Sequence, residues 1–191
     1  MFTGLVQAVG TVAWRSDSQL EILPPASFAP DGYAEGESIA VNGVCLTVIE
    51  SESGIRFDIS KETWRRSALG SLRPNQAVNL ERAMSATDRF GGHMVQGHVD
   101  SVGTLVAIDG DRFDWQVEPE FDRYLIDKGS ITLDGISLTV VLPEAGRFQT
   151  WIIPTTRTHT NLNQRAVGDT VNVEFDVIAK YVERLLAPRL G

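Results

Sequence analysis

Hydrophobic and polar positions alternate with period two along most of this chain, the signature of half-buried β-strands. Ile39 and Val41, then Val44, Leu46 and Val48, alternate around an Asn42-Gly43 pair that marks a hairpin or bulge. Ile131 and Leu133, then Ile136, Leu138 and Val140, do the same around Asp134-Gly135. Phe57–Ile59, Val78–Leu80, Trp151–Ile153 and Val171–Val173 read as further short strands, and the opening MFTGLVQAVGTV as a strand entering a core. Pro24, Pro25, Pro30, Gly32 and Gly36 predict a long loop with a helical turn around Ala26–Phe28, and PEFDRYLIDKG predicts a short helix ending at Gly129. Only the last segment changes period. DVIAKYVERLLAPRL sets Ile178, Tyr181, Val182, Leu185 and Leu186 on one helical stripe opposite Lys180, Glu183 and Arg184, with Pro188 as the stop. Such a short helix must bury its stripe, either on its own domain or against another copy of the chain.

The pattern occurs twice. MFTGLVQAVGTV from Met1 aligns with MVQGHVDSVGTL from Met94, and SIAVNGVCLTV from Ser38 with SITLDGISLTV from Ser130. KETWRRSALG followed by AVNLE aligns with PTTRTHTNLN followed by TVNVE, so that Thr63 meets Thr156 and Glu81 meets Glu174. Three blocks in one order at a nearly constant offset make the chain a tandem duplication of a small domain. Short strands with regular turn signals predict an all-β fold of two antiparallel barrels plus a C-terminal helix. The predicted division is residues 1–90, 91–176 and 177–191, with a flexible joint at Arg89-Phe90-Gly91-Gly92.

Composition narrows the function. Seventeen basic against twenty-five acidic residues give a net charge of -8, which disfavours nucleic acid and anionic membrane as partners. No apolar run reaches the length of a membrane-spanning helix, and a single cysteine, Cys45, suits a reducing cytoplasm. The three histidines, His93, His98 and His159, form no metal-ligand spacing, and no phosphate loop, nucleophile elbow or dinucleotide fingerprint occurs.

What remains is the duplicated Gly-X-[Cys/Ser]-Leu-Thr-Val motif. Cys45 and Thr47, and likewise Ser137 and Thr139, lie two apart and share one face of a strand; with Leu46 and Leu138 inward, both polar pairs face outward. A thiol and a hydroxyl at equivalent positions suggest one ancestral ligand pocket specialised into two. His98 replaces Leu5 beside the duplicated glycines Gly4 and Gly97, and an imidazole there is suited to moving protons near neutrality. His93 reads as a linker or capping residue, and His159 as a surface residue.

At these residues the sequence resembles the riboflavin synthase family, through the MFTG start, NGVCLTV, KETWRRSALG, VNLERA, GGHMVQGHVDSVGT, KGSITLDGISLTV, IIPTT and KYVERLL. The resemblance implies two Greek-key lumazine-binding barrels, a homotrimer gathered by the C-terminal helix, and a cofactor-free, metal-free cytoplasmic transferase. Its reaction would convert two molecules of 6,7-dimethyl-8-ribityllumazine into riboflavin and 5-amino-6-(ribitylamino)uracil. The implied catalytic residues are Cys45, Thr47, His98, Ser137 and Thr139. One pocket would use Gly4, Leu5, Val6, Cys45, Leu46, Thr47, and the run Asp58, Ile59, Ser60, Lys61, Glu62 and Thr63. The other would use Gly97, His98, Val99, Lys128, Ser137, Leu138, Thr139, and the run Trp151, Ile152, Ile153, Pro154, Thr155 and Thr156. The family's site lies between the first barrel of one subunit and the second barrel of another. A non-catalytic lumazine or flavin carrier of the same fold is the alternative.

Overall fold

A computed structural model describes residues 1–50 and 54–186. Strands β1 (Ala8–Arg15), β2 (Gln19–Leu23), β3 (Ser38–Val41), β4 (Val44–Glu50), β5 (Ile55–Asp58) and β6 (Ala77–Arg82) close a barrel in the order β1-β2-β5-β4-β3-β6. Strands β7 (Ser101–Asp109), β8 (Arg112–Gln116), β9 (Ser130–Leu133), β10 (Ile136–Thr139), β11 (Val141–Glu144), β12 (Arg147–Trp151) and β13 (Thr170–Phe175) follow in the order β10-β9-β13-β7-β8-β12-β11. The outer strands β10 and β11 are separated only by Val140, so the second sheet repeats the first with the counterpart of β4 broken in two. Leu142, just past the break, has a left-handed φ of 49°. Every pairing is antiparallel, and each barrel has its own core. Leu20, Ile22, Ile39, Phe57 and Leu80 fill the first; Phe113, Trp115, Phe148, Val173 and Phe175 fill the second.

The two barrels meet at their hairpin turns. Asn42, Gly43, Asp134 and Gly135 all have positive φ, the conformation that the primed two-residue turns require. A Cβ on Gly43 would sit 2.6 Å from the Gly135 nitrogen, and one on Gly135 2.8 Å from the Gly43 nitrogen. A buried polar network surrounds this contact. The Asn79 side-chain amide donates to Asp134 O (2.9 Å) and Asn161 Oδ1 (3.0 Å), and its oxygen accepts the Asn161 N–H (2.7 Å). Asn172, the repeat counterpart of Asn79, donates to Asn42 O (2.9 Å) and accepts the Ala68 N–H (2.6 Å). Asp134 also takes an ion pair from Arg165.

Several sequence expectations change. Gly92 is tightly packed: a Cβ there would lie 1.9 Å from Thr3 O, so the glycine permits a close backbone approach. The KETWRR and PTTRT segments form short helices, α1 (Lys61–Arg66) and α2 (Pro154–Thr158). Ser60 caps α1 by accepting the Thr63 N–H (3.0 Å), with Glu62 in the first turn and Arg65 and Arg66 in the last, as the helix dipole favours. Ala26–Phe28 forms a turn without a helix, and the helical stretch before Gly129 is a 3-10 helix over Pro119–Tyr124.

The final helix, α3 (Val177–Leu186), docks by its polar edge. Lys180 Nζ contacts both Asp100 oxygens (2.7 and 3.0 Å), and Glu183 bonds Tyr124 and pairs with Arg123 (2.8 Å). Its apolar stripe therefore points away from the barrels; Tyr181 is 64% and Leu185 71% exposed. Pro188 lies outside the described residues.

Asn79→Ala removes three bonds at the barrel contact. Each buried partner left unpaired costs about 1–3 kcal/mol. Urea denaturation should show a loss of about 2–4 kcal/mol, whereas Asn163→Ala, at an exposed site on the same segment, should change little.

Candidate active site

Two extended arms, residues 2–6 and 95–99, lead into β1 and β7. They pair through a Phe2–Val95 bridge, with the Phe2 N–H donating to Val95 O (2.8 Å) and the Val95 N–H to Phe2 O (3.2 Å). Each arm crosses to the barrel it does not belong to. Gly4 O accepts the Ser137 N–H, and Gly97 O accepts the Cys45 N–H, both at 2.8 Å. Gly4 (φ 75°) and Gly97 (φ 78°) are left-handed, and a Cβ on either would lie 2.7 Å from the Ser137 Cβ or 2.5 Å from the Cys45 Cβ. Beyond the glycines, Val6 packs against the second core and Val99 against the first. The expected grouping is thus exchanged: Gly97, His98 and Val99 belong with Cys45, and Gly4, Leu5 and Val6 with Ser137. A repeat alignment gives both arms the same pattern and carries no information on which barrel each one meets.

Two buried carboxylates hold the arms. Glu81 on β6 accepts the Thr3 N–H (2.7 Å), the Thr3 hydroxyl (2.8 Å) and the Gly4 N–H (3.0 Å). Glu174 on β13 accepts the N–H groups of Gln96 (2.7 Å), Gly97 (2.8 Å) and His98 (3.0 Å). Burial pushes both carboxyls up from the ordinary range, against the pull of these donors.

A cavity of about 500 Å³ opens beside Cys45. Glu62 and Thr63 of α1, Gly97–Asp100 of the second arm, Phe121 and Tyr124 of the second barrel, and Lys180 of α3 help to line it. Its volume is that of a small-molecule site. The alternation along β4 is as the sequence requires: Val44, Leu46 and Val48 are buried, Cys45 is half-buried and Thr47 exposed. Cys45 is a free thiol, and the His98 side chain is exposed at the cavity wall. Bonds from Arg65, then Arg66, hold the Glu62 carboxyl down at about 2, which makes it a fixed anion and no proton donor near neutrality. Asp58 accepts from Gln19 Nε2 (2.9 Å), and Ser60 and Lys61 lie exposed at the start of α1, outside the cavity lining.

The second set of expected residues lies in the second barrel. Thr139 is exposed, Leu138 packs on the second core, and the Lys128 N–H donates to Val140 O (2.8 Å) at the break between β10 and β11. Trp151 and Ile153 are exposed at the end of β12 and just beyond, with Pro154, Thr155 and Thr156 in α2. Ile152, like Ile59 in the first copy, is buried in its core. The residue that sequence reasoning missed is His93. It is no linker: it is buried, with Nδ1 2.7 Å from Ser137 Oγ and Nε2 3.1 Å from Thr132 Oγ1. It lies just before the aligned MVQGHVDSVGTL block, so the repeat comparison gave no signal for it. His159 is exposed, as expected.

A lumazine binding domain model matches residues 3–83 and again 96–176. Riboflavin synthase of Mycobacterium tuberculosis is 47% identical over 97% of this chain and 98% of its own length. The chain belongs to the riboflavin synthase family. Riboflavin synthases of Actinobacillus pleuropneumoniae (42% identity, 97% of this chain, 90% of theirs) and Bacillus amyloliquefaciens (39%, 97% and 90%) match over similar spans. In fold, the chain also resembles LumP complexed with riboflavin, with a TM-score of 0.80 and 23% identity over 92% of this chain and 99% of that one. Among the described residues, no helix is long and apolar enough to cross a membrane.

Burial lowers the His93 pKa, with Asp176 opposing. A depressed histidine adds stability that is complete above its unfolded value, about 6.5, and is lost as pH falls through the folded value. Glu81 and Glu174, with raised values, run the other way, but they are common to wild type and variant. The difference in melting temperature between wild type and His93→Gln should therefore shrink as pH falls from about 7.5 to about 5. A constant difference would show that the folded and unfolded imidazoles titrate alike, so that burial does not depress this one.

Proposed function

We propose that this riboflavin synthase family member carries out the dismutation of two 6,7-dimethyl-8-ribityllumazine molecules to riboflavin and 5-amino-6-(ribitylamino)uracil. One ring gives up a four-carbon unit and the other accepts it, so atoms and electrons balance without an outside oxidant or reductant. The observation that carries the proposal is a pair of equivalent but chemically unequal half-sites in one chain. The first presents the Cys45 thiol under the arm that bears His98. The second presents the Ser137 hydroxyl under the arm that bears Leu5, backed by His93. Two copies of one substrate need two similar sites, and their different fates need the sites to differ.

The reaction requires removal of a proton from an activated methyl group and addition of a nucleophile to the ring. His98 serves the first need and Cys45 the second, while Thr47, Ser137 and Thr139 hydrogen-bond the bound rings. Alignment of two reactants supplies about 7–11 kcal/mol of barrier lowering, against about 10²–10⁴-fold for one positioned acid or base. A site with few strong acids or bases is adequate if it fixes two stacked rings. No cofactor or metal enters this scheme, and the free thiol fits a cytoplasmic setting.

The outward apolar stripe of α3 supports a homotrimer in which helices from different chains cover one another. The complete site then joins the Cys45 half-site of one subunit to the Ser137 half-site of the next.

Incubation of the purified protein with the lumazine should produce riboflavin absorbance and fluorescence; saturable binding without turnover would leave the carrier reading in its place. Cys45→Ala should lower kcat by about 10²-fold or more with the fold intact, and a near-normal rate would reduce the thiol to a contact. Leu185→Glu should yield a folded monomer in sedimentation with activity lost, and a persistent trimer would remove the helix from the assembly.

A further inference from the structure

The two carboxylates beneath the arms take no part in the chemistry just described, yet they are among the most buried charged groups in the chain, at 4% exposure for Glu81 and 2% for Glu174. Their placement is peculiar. Glu174 stands on β13 of the second barrel, and the arm it grips ends against Cys45 of the first. Glu81 stands on β6 of the first barrel, and its arm ends against Ser137 of the second. We propose that Glu174 and Glu81 are positioning residues acting crosswise, each setting the half-site of the opposite barrel through the arm it holds.

The physical basis is the number of donors. Three successive arm N–H groups, Gln96, Gly97 and His98, converge on the two oxygens of Glu174. In the first copy, two arm N–H groups and the Thr3 hydroxyl converge on Glu81. An ionised carboxylate only accepts, and it has room for all three. An amide offers one oxygen and turns its own N–H groups towards the donors, so it cannot replace the carboxylate. With N–H groups pinned on one side, the carbonyl of the same glycine points to the other, where Gly97 O meets the Cys45 N–H and Gly4 O the Ser137 N–H. The arm thus has a fixed height over each half-site. Loss of the carboxylate frees the arm and uncovers the opposite barrel, not its own.

Cys45 is the single cysteine of the chain, so its alkylation reads the first half-site alone. In Glu174→Gln, the second-order rate of reaction with N-ethylmaleimide should rise by about tenfold as the arm opens locally. In Glu81→Gln it should change by less than about two-fold, while hydrogen exchange at the Ser137 amide accelerates instead. Glu174→Asp, which keeps both acceptor oxygens one methylene short, should fall between wild type and Glu174→Gln. Gly97→Ala keeps Glu174 but places a Cβ 2.5 Å from the Cys45 Cβ, so it should raise alkylation by lifting the arm directly. If Glu174→Gln does not fold, Glu174→Asp and Gly97→Ala carry the test. Unchanged alkylation in all the Glu174 and Gly97 variants that fold, or equal acceleration from Glu81→Gln and Glu174→Gln, would overturn the crosswise assignment. The term half-site rests on the proposed function, but alkylation and exchange do not. Crossed effects in a protein that does not turn over lumazine would sink the function and leave the clamp standing.

Discussion

At the centre of the molecule the Asn42-Gly43 and Asp134-Gly135 turns lie backbone against backbone, so close that neither glycine leaves room for a Cβ. Much else is placed relative to this contact. The turn residues are the tips of the two hairpins that carry Cys45 and Ser137, so fixing the tips fixes both side chains relative to each other. The surrounding amides convert proximity into a single geometry. The oxygen of Asn42 accepts the N–H of Asn79 (2.7 Å) and an N–H of Asn161 (3.2 Å), while Asp134 accepts the N–H of Asn172 (2.9 Å) and an N–H of Asn161 (2.9 Å). An apolar contact of similar area tolerates sliding; a buried network with directional partners does not, because any slip leaves polar groups unpaired.

The exchanged arms follow from the same arrangement. With the barrels joined tip to tip, the strand that follows each tip lies beside the other barrel's arm, which can reach across without a long connection. Each arm then has an anchor in its own barrel and a contact in the other. A half-site therefore cannot be assigned to one repeat, although each repeat is a complete barrel with its own core. Duplication here produced two cores, each reached by the other barrel's arm.

The barrels were legible because alternation reports which side chains face inward, and Asn-Gly and Asp-Gly report where strands reverse. The orientation of Cys45 and Thr47 followed from the same two rules. Partner choice was not legible. Period two shows that Gly4 and Gly97 enter strands, but the two arms have one pattern and either barrel would accept either arm. His93 was hidden for a different reason, since it lies outside the blocks that the repeat comparison aligns. Helices α1 and α2 are too short for a 3.6-residue period to emerge. The stripe on α3 was plain in sequence, but amphipathicity shows only that a face seeks cover. That the polar edge docks at home depended on Asp100, Arg123 and Tyr124, which lie far away in the chain.

The exchange also changes where the inequality between copies resides. By sequence alone, the thiol belongs to the first repeat and His98 to the second, as though each pocket had been given one reactive group. In the folded chain both stand at the cavity that Glu62 borders as a permanent anion, so thiol, imidazole and carboxylate gather on one side. The other side has a half-buried hydroxyl hydrogen-bonded to a buried imidazole, whose second nitrogen lies 3.1 Å from Thr132 Oγ1. Burial favours the neutral form of that imidazole and makes it better suited to holding Ser137 in one orientation than to exchanging protons. In the proposed reaction both rings change, one losing and the other gaining a four-carbon unit, so acid–base and nucleophilic groups are needed together with fixed registration of the pair. A chain that gathers a thiol, an imidazole and a carboxylate at one half-site and a buried imidazole bonded to a hydroxyl at the other supplies both while keeping the barrels nearly alike.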